Sequence, residues 1–252
     1  MPRRAPAASA LVTLALAGCL GGSSPTRSYF AVEYPRGEAV KRYTEPRYPF
    51  TVRVRPFESS VAYDRQELVY RQSAYEISYD WYRLWAAKPR HMLGALVRGH
   101  LRDANLFREV VDRLSGTLPR YELGCEVLGL EELDSAKDTW FARLALRCVL
   151  IDFTTSAQVW SHAFDVKERV YQRTPHFVVR ALSQLMEREM VRLIDALDAY
   201  LAEATGRPAP RLGDTAAPGA SPEGPPPQPP APDARPDAPP TEPAATLRPR
   251  GR

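Results

Sequence analysis

The sequence is poor in the residue patterns that enzymes use. None of its histidines has the spacing to a cysteine or a carboxylate that is typical of a metal site. It also contains no Gly-x-Ser-x-Gly, no glycine-rich phosphate loop and no His-Glu-x-x-His. We therefore expect a protein that is not an enzyme and that has no catalytic residue, bound metal or cofactor. The acidic residues Glu131, Glu132 and Asp134 flank a predicted turn and are expected to form a solvated rim. The four histidines are His91, His100, His162 and His176, and the first two are expected to be solvated or half-buried.

Long apolar runs and basic clusters are also missing. The uncharged apolar run at residues 10–16 is too short to span a bilayer, which requires about 20 apolar residues. No cluster of lysine and arginine interleaved with aromatic residues occurs, which argues against nucleic acid as a partner. The formal net charge of +4 includes two arginines at the N-terminus, so the rest of the chain is close to neutral.

Cysteine is scarce, and the first of the three cysteines stands in a distinctive context. A positive segment and the apolar run at residues 10–16 lead through Leu16-Ala17-Gly18 to Cys19. These features make up a secretory signal, and the cysteine makes this one resemble the lipobox of bacterial lipoproteins. The resemblance implies that residues 1–18 are removed as a signal peptide and that Cys19 is diacylated and then acylated on its new amine. The alternative is an ordinary secretory signal with a chance cysteine.

An acylated Cys19 would anchor the mature chain to a membrane. Each buried methylene contributes about 0.8 kcal/mol, and several chains hold a domain where a single chain binds only marginally. In bacterial lipoproteins an aspartate after the cysteine favours the inner membrane, and here that residue is Leu20. We therefore predict a lipoprotein of the outer membrane that faces the periplasm. Residues 19–47 are predicted to contain the lipidated end, a Gly/Ser-rich tether and a first strand at residues 29–34.

The other two cysteines, Cys125 and Cys148, lie in two long predicted strands, residues 118–133 and 139–153. A turn centred near Ala136 places them roughly opposite each other on the inward face of the hairpin. Two interpretations stay open. The cysteines form a cross-strand disulfide, which would add about 2–4 kcal/mol of stability, or they are two buried thiols that act as small apolar residues.

Hydrophobic periodicity predicts the rest of the folded domain, residues 48–205. Apolar residues at helical spacing predict two amphipathic helices, Pro89–Asn105 and Pro175–Ala204. The order of elements implies an α+β fold with two layers, in which one largely antiparallel sheet packs against the two helices. The other strands are predicted at residues 50–55, 68–71, 75–79, 107–111 and 158–168.

The composition changes sharply after residue 205. Residues 206–252 are rich in proline and alanine and contain almost no large apolar side chains. Such a segment cannot bury enough apolar surface to offset the loss of chain entropy on folding. We therefore predict a disordered tail with polyproline character.

A series of short motifs resembles, in its order, a known family. Over about residues 29–204 the sequence is similar to the ABC-type transport auxiliary lipoprotein family. The motifs are Val54-Arg55-Pro56-Phe57 at the end of a strand, Tyr63-Asp64-Arg65, Tyr70-Arg71, Trp85-Ala86-Ala87-Lys88-Pro89 at the start of a helix, and Val159-Trp160-Ser161 before the long C-terminal helix.

This resemblance implies an adaptor for an MCE-type or Pqi-type transport system that moves phospholipids or other hydrophobic molecules between the inner and outer membranes. Its partner would be an MCE-domain protein, and a separate ATPase would supply the energy. Assembly into a homo-oligomer is compatible with this role. The residues expected to contact the partner are Tyr63, Asp64, Arg65, Tyr70, Arg71, Trp85 and Pro89.

Three alternatives stay open at this point. The aromatic residues Tyr70, Trp81 and Trp85 can simply fill the core or cover a sheet edge. The protein can be a lipid-binding or solute-binding lipoprotein with an apolar pocket of its own. It can also be a structural tether of the envelope. A pocket large enough for acyl chains favours the binding protein, whereas a filled core with exposed aromatic residues favours the adaptor.

Overall fold

The described part of the chain forms one mixed sheet and two α-helices. A computed structural model describes residues 26–114, 116–136 and 139–207. The predicted signal peptide, Cys19 and the tail beyond Arg207 lie outside the described residues. Among those described, nine strands form a single sheet. The elements are β1 (Ser28–Phe30), β2 (Tyr48–Val54), β3 (Glu58–Ser59), β4 (Glu67–Arg71), β5 (Ile77–Trp85), α1 (Pro89–Asp103), β6 (Phe107–Val111), β7 (Tyr121–Ala136), β8 (Thr139–Asp152), β9 (Gln158–Val170) and α2 (Pro175–Thr205).

The long strand β7 connects the parts of the sheet. Along one edge it pairs with β8 in antiparallel fashion over nearly its whole length. Along its other edge it pairs in succession with β2, β3 and β4, all of which run parallel to it. The edge strand β1 is parallel to β5, and β2 is parallel to β6. The sheet is therefore mixed, and the expectation of a largely antiparallel sheet is confirmed only in part: β7, β8 and β9 pair in antiparallel fashion, as do β4 and β5, whereas the other strand pairs are parallel. Short strands that are distant in sequence therefore pair with β7 in parallel, and α1 lies in the connection between β5 and β6.

One cluster of buried side chains includes both helices and the inward positions of the strands. Alternate residues of β7 and β8 point into this cluster, as expected for strands with one covered face. The apolar stripe of α2 covers β8 and β9, and α1 packs on β6 and β7. The fully buried residues at its centre include Leu123, Val127, Leu144, Leu146, Leu150, Leu182, Leu185 and Met186.

Both predicted helices are present, and local chemistry sets their ends. Each begins with a proline in the first turn, where the missing N–H costs nothing. The helix α1 ends two residues earlier than predicted, because Asn105 has a left-handed backbone with φ of 57°. The helix α2 ends at Thr205, and the residue that follows it, Gly206, has a φ of 63°, which suits a residue without a Cβ atom. There Arg207 N–H donates to the carbonyl of Ala202 at 2.9 Å.

The strands near the N-terminus differ most from prediction. The first strand is Ser28–Phe30 instead of residues 29–34, and Glu58–Ser59 was not predicted. The strand predicted at residues 75–79 is Ile77–Trp85. It contains a bulge, because Leu68 pairs with Asp80 while the preceding Glu67 pairs with Leu84. Residues 81–83 have no partner on β4, and the Asp80 carboxylate accepts the backbone N–H groups of Tyr82 and Arg83 at 3.0 Å each.

The hairpin β7–β8 brings the two inner cysteines together. Cys125 is the register partner of Cys148. The structure joins them by a disulfide, with 4.1 Å between the Cα atoms. Both residues are buried within the main cluster, so the bond ties the centre of the hairpin to the core.

Candidate partner-binding region

The seven residues expected to contact a partner do not form one surface. Tyr70 and Trp85 line a cavity beneath α2, together with Val178 of that helix. Tyr63 and Arg71 instead surround Glu131, which forms an ion pair with Arg143 of β8. Arg143 directly precedes the core residue Leu144 on this strand. Neighbouring residues on a strand point to opposite faces. The Glu131 cluster therefore lies on the sheet face that α2 does not cover, which we call the open face.

The centre of the open-face cluster is a fully buried carboxylate. The Tyr63 hydroxyl donates to Glu131 Oε2 at 2.6 Å. Arg71 Nε lies 3.1 Å from the same oxygen, and Arg143 Nη1 lies 2.6 Å from Oε1. Arg143 also forms a bidentate pair with Asp165, at 2.7 Å for both bonds. Two guanidinium groups and two carboxylates thus neutralise each other, which is the condition for burying charge in a protein.

This geometry corrects the expectation of a solvated acidic rim. The side chain of Glu131 is fully buried, and Glu132 and Asp134 are mostly covered. Arg173, just before α2, lies 3.4 Å from Glu132 and also pairs with Asp134. Burial raises the pKa of Glu132, and Arg173 opposes this effect. Glu132 and Asp134 therefore hold the start of α2 against the end of β7.

The loop before β4 is fixed to the start of α1. Asp64 lies 3.4 Å from Lys88 Nζ and 3.0 Å from Arg90 Nε. The guanidinium group of Arg65 stacks over the ring of Tyr79 at 3.7 Å. Pro89, the first residue of α1, is buried. These contacts stabilise the loop, and they leave Arg65 and Lys88 with part of their surface available to a partner.

The cavity beneath the start of α2 has a volume of about 400 Å³. Its apolar wall includes Leu68, Val178 and Leu182, and its polar rim includes Arg83 and Arg173. Trp85 lines it and is only 1% exposed. Within the described part of the chain, the Nε1–H of Trp85 has no acceptor. An unsatisfied buried donor beside a cavity is a feature of ligand-binding sites.

Burial limits which of the predicted residues can reach a partner. Tyr63, Trp85 and Pro89 are buried, so their direct roles in this structure are to support the surface rather than to contact a protein. The exposed aromatic side chains lie nearby: Tyr75 is 99% exposed at the β4–β5 turn, and Trp81 is 69% exposed on the bulge. Neither was among the residues predicted to contact a partner: Tyr75 was placed in a strand, and periodicity cannot show that the strand carrying Trp81 bulges.

A second buried polar group lies on α1. His100 is 2% exposed, which corrects the expectation of a solvated or half-buried side chain. Its Nδ1 lies 2.9 Å from the hydroxyl of Tyr34. Burial, assisted by the nearby charge of Arg42, lowers the pKa of His100 to about 4. The imidazole is therefore neutral at ordinary pH and joins the segment after β1 to α1.

The described residues contain neither a membrane-spanning helix nor a metal-binding cluster. Across the ranges 26–114, 116–136 and 139–207, no helix has the length and apolar content needed to cross a membrane. The same ranges contain no group of three or more histidine, cysteine, aspartate or glutamate side chains arranged to hold a metal ion.

Comparison with known proteins gives a family and a fold. The chain matches the family model described as ABC-type transport auxiliary lipoprotein component over residues 33–193. No curated protein sequence matches it. Among solved structures, it is similar to protein XCC0632 from Xanthomonas campestris, of the DUF330 family, with a TM-score of 0.62 and 16% identity, covering 71% of this chain and 99% of that one. An uncharacterised protein gives a TM-score of 0.50 at 14% identity, covering 67% and 96%. At these identities the two structures support the fold alone.

Proposed function

The chain belongs to the family of ABC-type transport auxiliary lipoprotein components, and on this basis we propose that it is the lipid-anchored adaptor of an MCE-type transport system. Membership implies a lipoprotein of the cell envelope that associates with an ABC transporter and a membrane. The observation that carries the proposal is the extent of the match, since residues 33–193 include all but the first strand and the end of α2. The finer assignments, namely the MCE-domain partner, the transport of phospholipids or other hydrophobic molecules and a non-catalytic role, are part of the proposal.

The packing of the domain supports an adaptor over a carrier. A carrier needs an enclosed apolar space for acyl chains, whereas an adaptor needs exposed contact residues on a solid core. The centre of this domain is filled by side chains with essentially no exposed surface. The cavity of about 400 Å³ beneath α2 lies beside this core and has a charged rim. Large aromatic residues are exposed at the surface instead.

One end of the sheet offers the best contact surface. In the register of the sheet, Arg71 lies opposite Leu133, Leu133 opposite Phe141, and Phe141 opposite Arg169. These four residues form a row across four strands. The β4–β5 turn and the segment after β9 extend just beyond this row. They carry Tyr75 and Tyr171, which is 80% exposed and has Arg169 stacked on its ring. Exposed aromatic residues with a neighbouring arginine are typical of binding hot spots. We call this surface the tyrosine end.

Photo-crosslinking tests the proposal. A photoreactive phenylalanine analogue is placed at position 75 or 171 in the full-length lipoprotein, and cross-linked partners are identified in cell envelopes. We expect capture of an MCE-domain protein at both positions. The matched control is Leu118, which is 70% exposed and lies near the opposite end of the sheet, before Tyr121. Capture of no transporter component at the tyrosine end, or equal capture at position 118, contradicts the proposed contact.

Two structural details belong to the same proposal. We assign the anchor to the outer membrane because Leu20 follows Cys19. We also assign a two-layer arrangement, in which both helices cover one face of the sheet and the open face is solvated except where the loop before β4 covers Glu131. Alternate residues of β9 support the second assignment, because Ser161, Asp165 and Lys167 are exposed while Phe164 and Val166 pack on the core. Separation of inner and outer membranes by density tests the first.

The cavity beneath α2 favours a second candidate function, the binding of a small amphipathic molecule. Its apolar wall, charged rim and unsatisfied Trp85 donor suit a ligand with a short apolar part and a hydrogen-bond acceptor. Native mass spectrometry of the protein purified from its own envelope would detect such a ligand. The variant Leu182→Trp, which fills the wall, should abolish the adduct while leaving cross-linking at the tyrosine end intact.

A further inference from the structure

The edge of the open face near β1 carries exposed aromatic residues. Trp81, on the bulge of β5, is 69% exposed, and Tyr29, on β1, is 60% exposed. Phe30 packs its ring on His176 of α2, so it points to the helix side. Its neighbour Tyr29 therefore points to the open face, where its register partner is Leu84. Leu84 lines a shallow cleft together with Trp81. Both aromatic residues thus lie on the same side of the sheet.

Positive charge surrounds this cleft. Its lining contains three cations, Arg27, Arg65 and Lys88, and two carboxylates, Asp64 and Glu67. Asp64 is already paired with Lys88 and with Arg90, which adds a further cation beside the cleft. The cleft therefore has an excess of positive charge next to its aromatic residues. We call the surface formed by Tyr29, Trp81, Arg27 and Lys88 the aromatic–basic patch.

The anchor point of the chain lies close to this patch in sequence. Arg27 follows Cys19 by eight residues, and eight residues span at most about 29 Å when fully extended. Arg27 lines the cleft itself. An acyl chain on Cys19 therefore holds the aromatic–basic patch within about 30 Å of the membrane surface. The tyrosine end is separated from Arg27 by further strands, so this limit does not apply to it.

We propose that the aromatic–basic patch rests on the bilayer that holds the acyl anchor. Tryptophan and tyrosine have an apolar ring and a polar group, and they concentrate at the level of the lipid headgroups. Basic side chains near the surface are attracted to anionic headgroups. The patch combines both features at the point where the tether joins the domain. This inference rests on the proposed lipidation of Cys19, and it fixes the orientation of the domain on the membrane.

Fluorescence quenching by brominated lipids tests the contact. The full-length acylated protein is reconstituted into vesicles of phosphatidylethanolamine and phosphatidylglycerol with brominated acyl chains. Of the four tryptophans, Trp81 is the exposed one on the patch. We expect quenching in the unmodified protein, loss of most of it in Trp81→Phe, and no loss in the matched control Trp160→Phe. Equal quenching in Trp81→Phe and the unmodified protein overturns the proposal.

The charge component has its own readout. In the double variant Arg27→Glu/Lys88→Glu we expect the quenching of Trp81 to fall at least twofold in vesicles that contain phosphatidylglycerol. In vesicles of phosphatidylcholine alone the variant and the unmodified protein should be quenched alike. Loss of the same size in both vesicle types shows that the variant damages the fold, and circular dichroism of the variant checks this directly. Quenching that is insensitive to both substitutions overturns the electrostatic part.

Failure of the premise can be told apart from failure of the patch. A protein without an acyl anchor does not float with the vesicles at all, whereas a protein whose patch faces water floats but is not quenched. A photoreactive residue at position 81 that captures a transporter component instead of lipid assigns the patch to a protein partner and overturns the inference. Cross-linking at Tyr75 and Tyr171 is unaffected by any of these results and tests the adaptor role separately.

Discussion

The Tyr63 hydroxyl donates a hydrogen bond to Glu131 at 2.6 Å, and this bond holds the loop before β4 over a fully buried carboxylate. Burial raises the pKa of Tyr63 to about 12, and its bond to Glu131 acts in the same direction. The phenol thus remains a donor throughout the physiological range. Tyr63, one of the residues expected to contact a partner, instead fixes the position of Asp64 and Arg65, which follow it.

The variant Glu131→Gln should destabilise the domain strongly. It leaves Arg71 and Arg143 facing a neutral group in a buried setting, and removal of one member of a buried ion pair costs about 3–5 kcal/mol. Urea unfolding should show a correspondingly lower midpoint with an unchanged slope. The matched control is Glu126→Gln in the same strand, since Glu126 and Arg147 form a partly exposed pair at 3.6 Å, for which we expect less than about 1 kcal/mol. Similar losses in the two variants would contradict the role given to Glu131.

Comparison of Glu126 with Glu131 also explains why the cluster around Glu131 could not be predicted from the sequence. In sequence, Glu126 and Glu131 are equivalent, because both are acidic residues on a strand that faces an arginine of β8. Only Glu131 is covered by a loop, and that loop reaches it through the parallel pairing of β4 with β7. Parallel pairs join segments that are far apart in the chain, and no local pattern encodes them. The helices, in contrast, were predictable to within about two residues at each end, because their apolar stripes and their prolines and glycine are local signals.

The register of the β7–β8 hairpin shows a different limit. The last register pair of the hairpin joins Ala136 to Thr139, whereas the turn was predicted with its centre near Ala136. An unbroken register from that pair would place Cys125 opposite Leu150. The structure places it opposite Cys148 because β7 contains two irregularities of one residue each, one before Gly129 and one before Ala136. Sequence periodicity detects neither bulge, so the position of the turn alone could not settle the pairing of the cysteines.

Stability should depend on pH through His100. The folded protein lowers the pKa of this residue from 6.5 to about 4, so below pH 6.5 the unfolded chain binds a proton that the folded chain does not. The free energy of unfolding is therefore highest, as far as His100 is concerned, above pH 6.5. It falls by up to about 3 kcal/mol as the pH decreases towards 4. The variant His100→Phe should remove this slope in urea unfolding measured from pH 7 to pH 4.5. The control His91→Phe, on the outer side of the same helix, should keep it, and a slope that persists in His100→Phe assigns the effect to another group.

The disulfide between Cys125 and Cys148 should contribute to stability through the unfolded state. The two residues are 23 positions apart, and closing a loop of this length removes about 3 kcal/mol of chain entropy from the unfolded ensemble. A reductant should therefore lower the urea midpoint of the protein isolated from the envelope. The double variant Cys125→Ala/Cys148→Ala should have the lower midpoint from the start and should not respond to reductant. If the isolated protein alkylates at two cysteines after unfolding without reductant, the pair exists as buried thiols and this prediction is wrong.

The membrane anchor should depend on Cys19 alone. In the variant Cys19→Ala no thiol is available for diacylation, so we expect the chain to keep residues 1–18 or to leave the membrane fraction, and intact mass measurement should show no acyl groups. The control Leu20→Asp keeps the thiol; it should retain the acyl groups but shift the protein towards the inner membrane in density separation.

Detergent partitioning gives a second readout. Because buried methylenes contribute about 0.8 kcal/mol each, loss of several acyl chains should move the whole protein from the detergent phase to the aqueous phase. An unmodified protein that is cleaved after Gly18, or elsewhere nearby, and carries no acyl group would mean that Cys19 is an incidental residue in a secretory signal, and the membrane contact of Trp81 would then lose its premise.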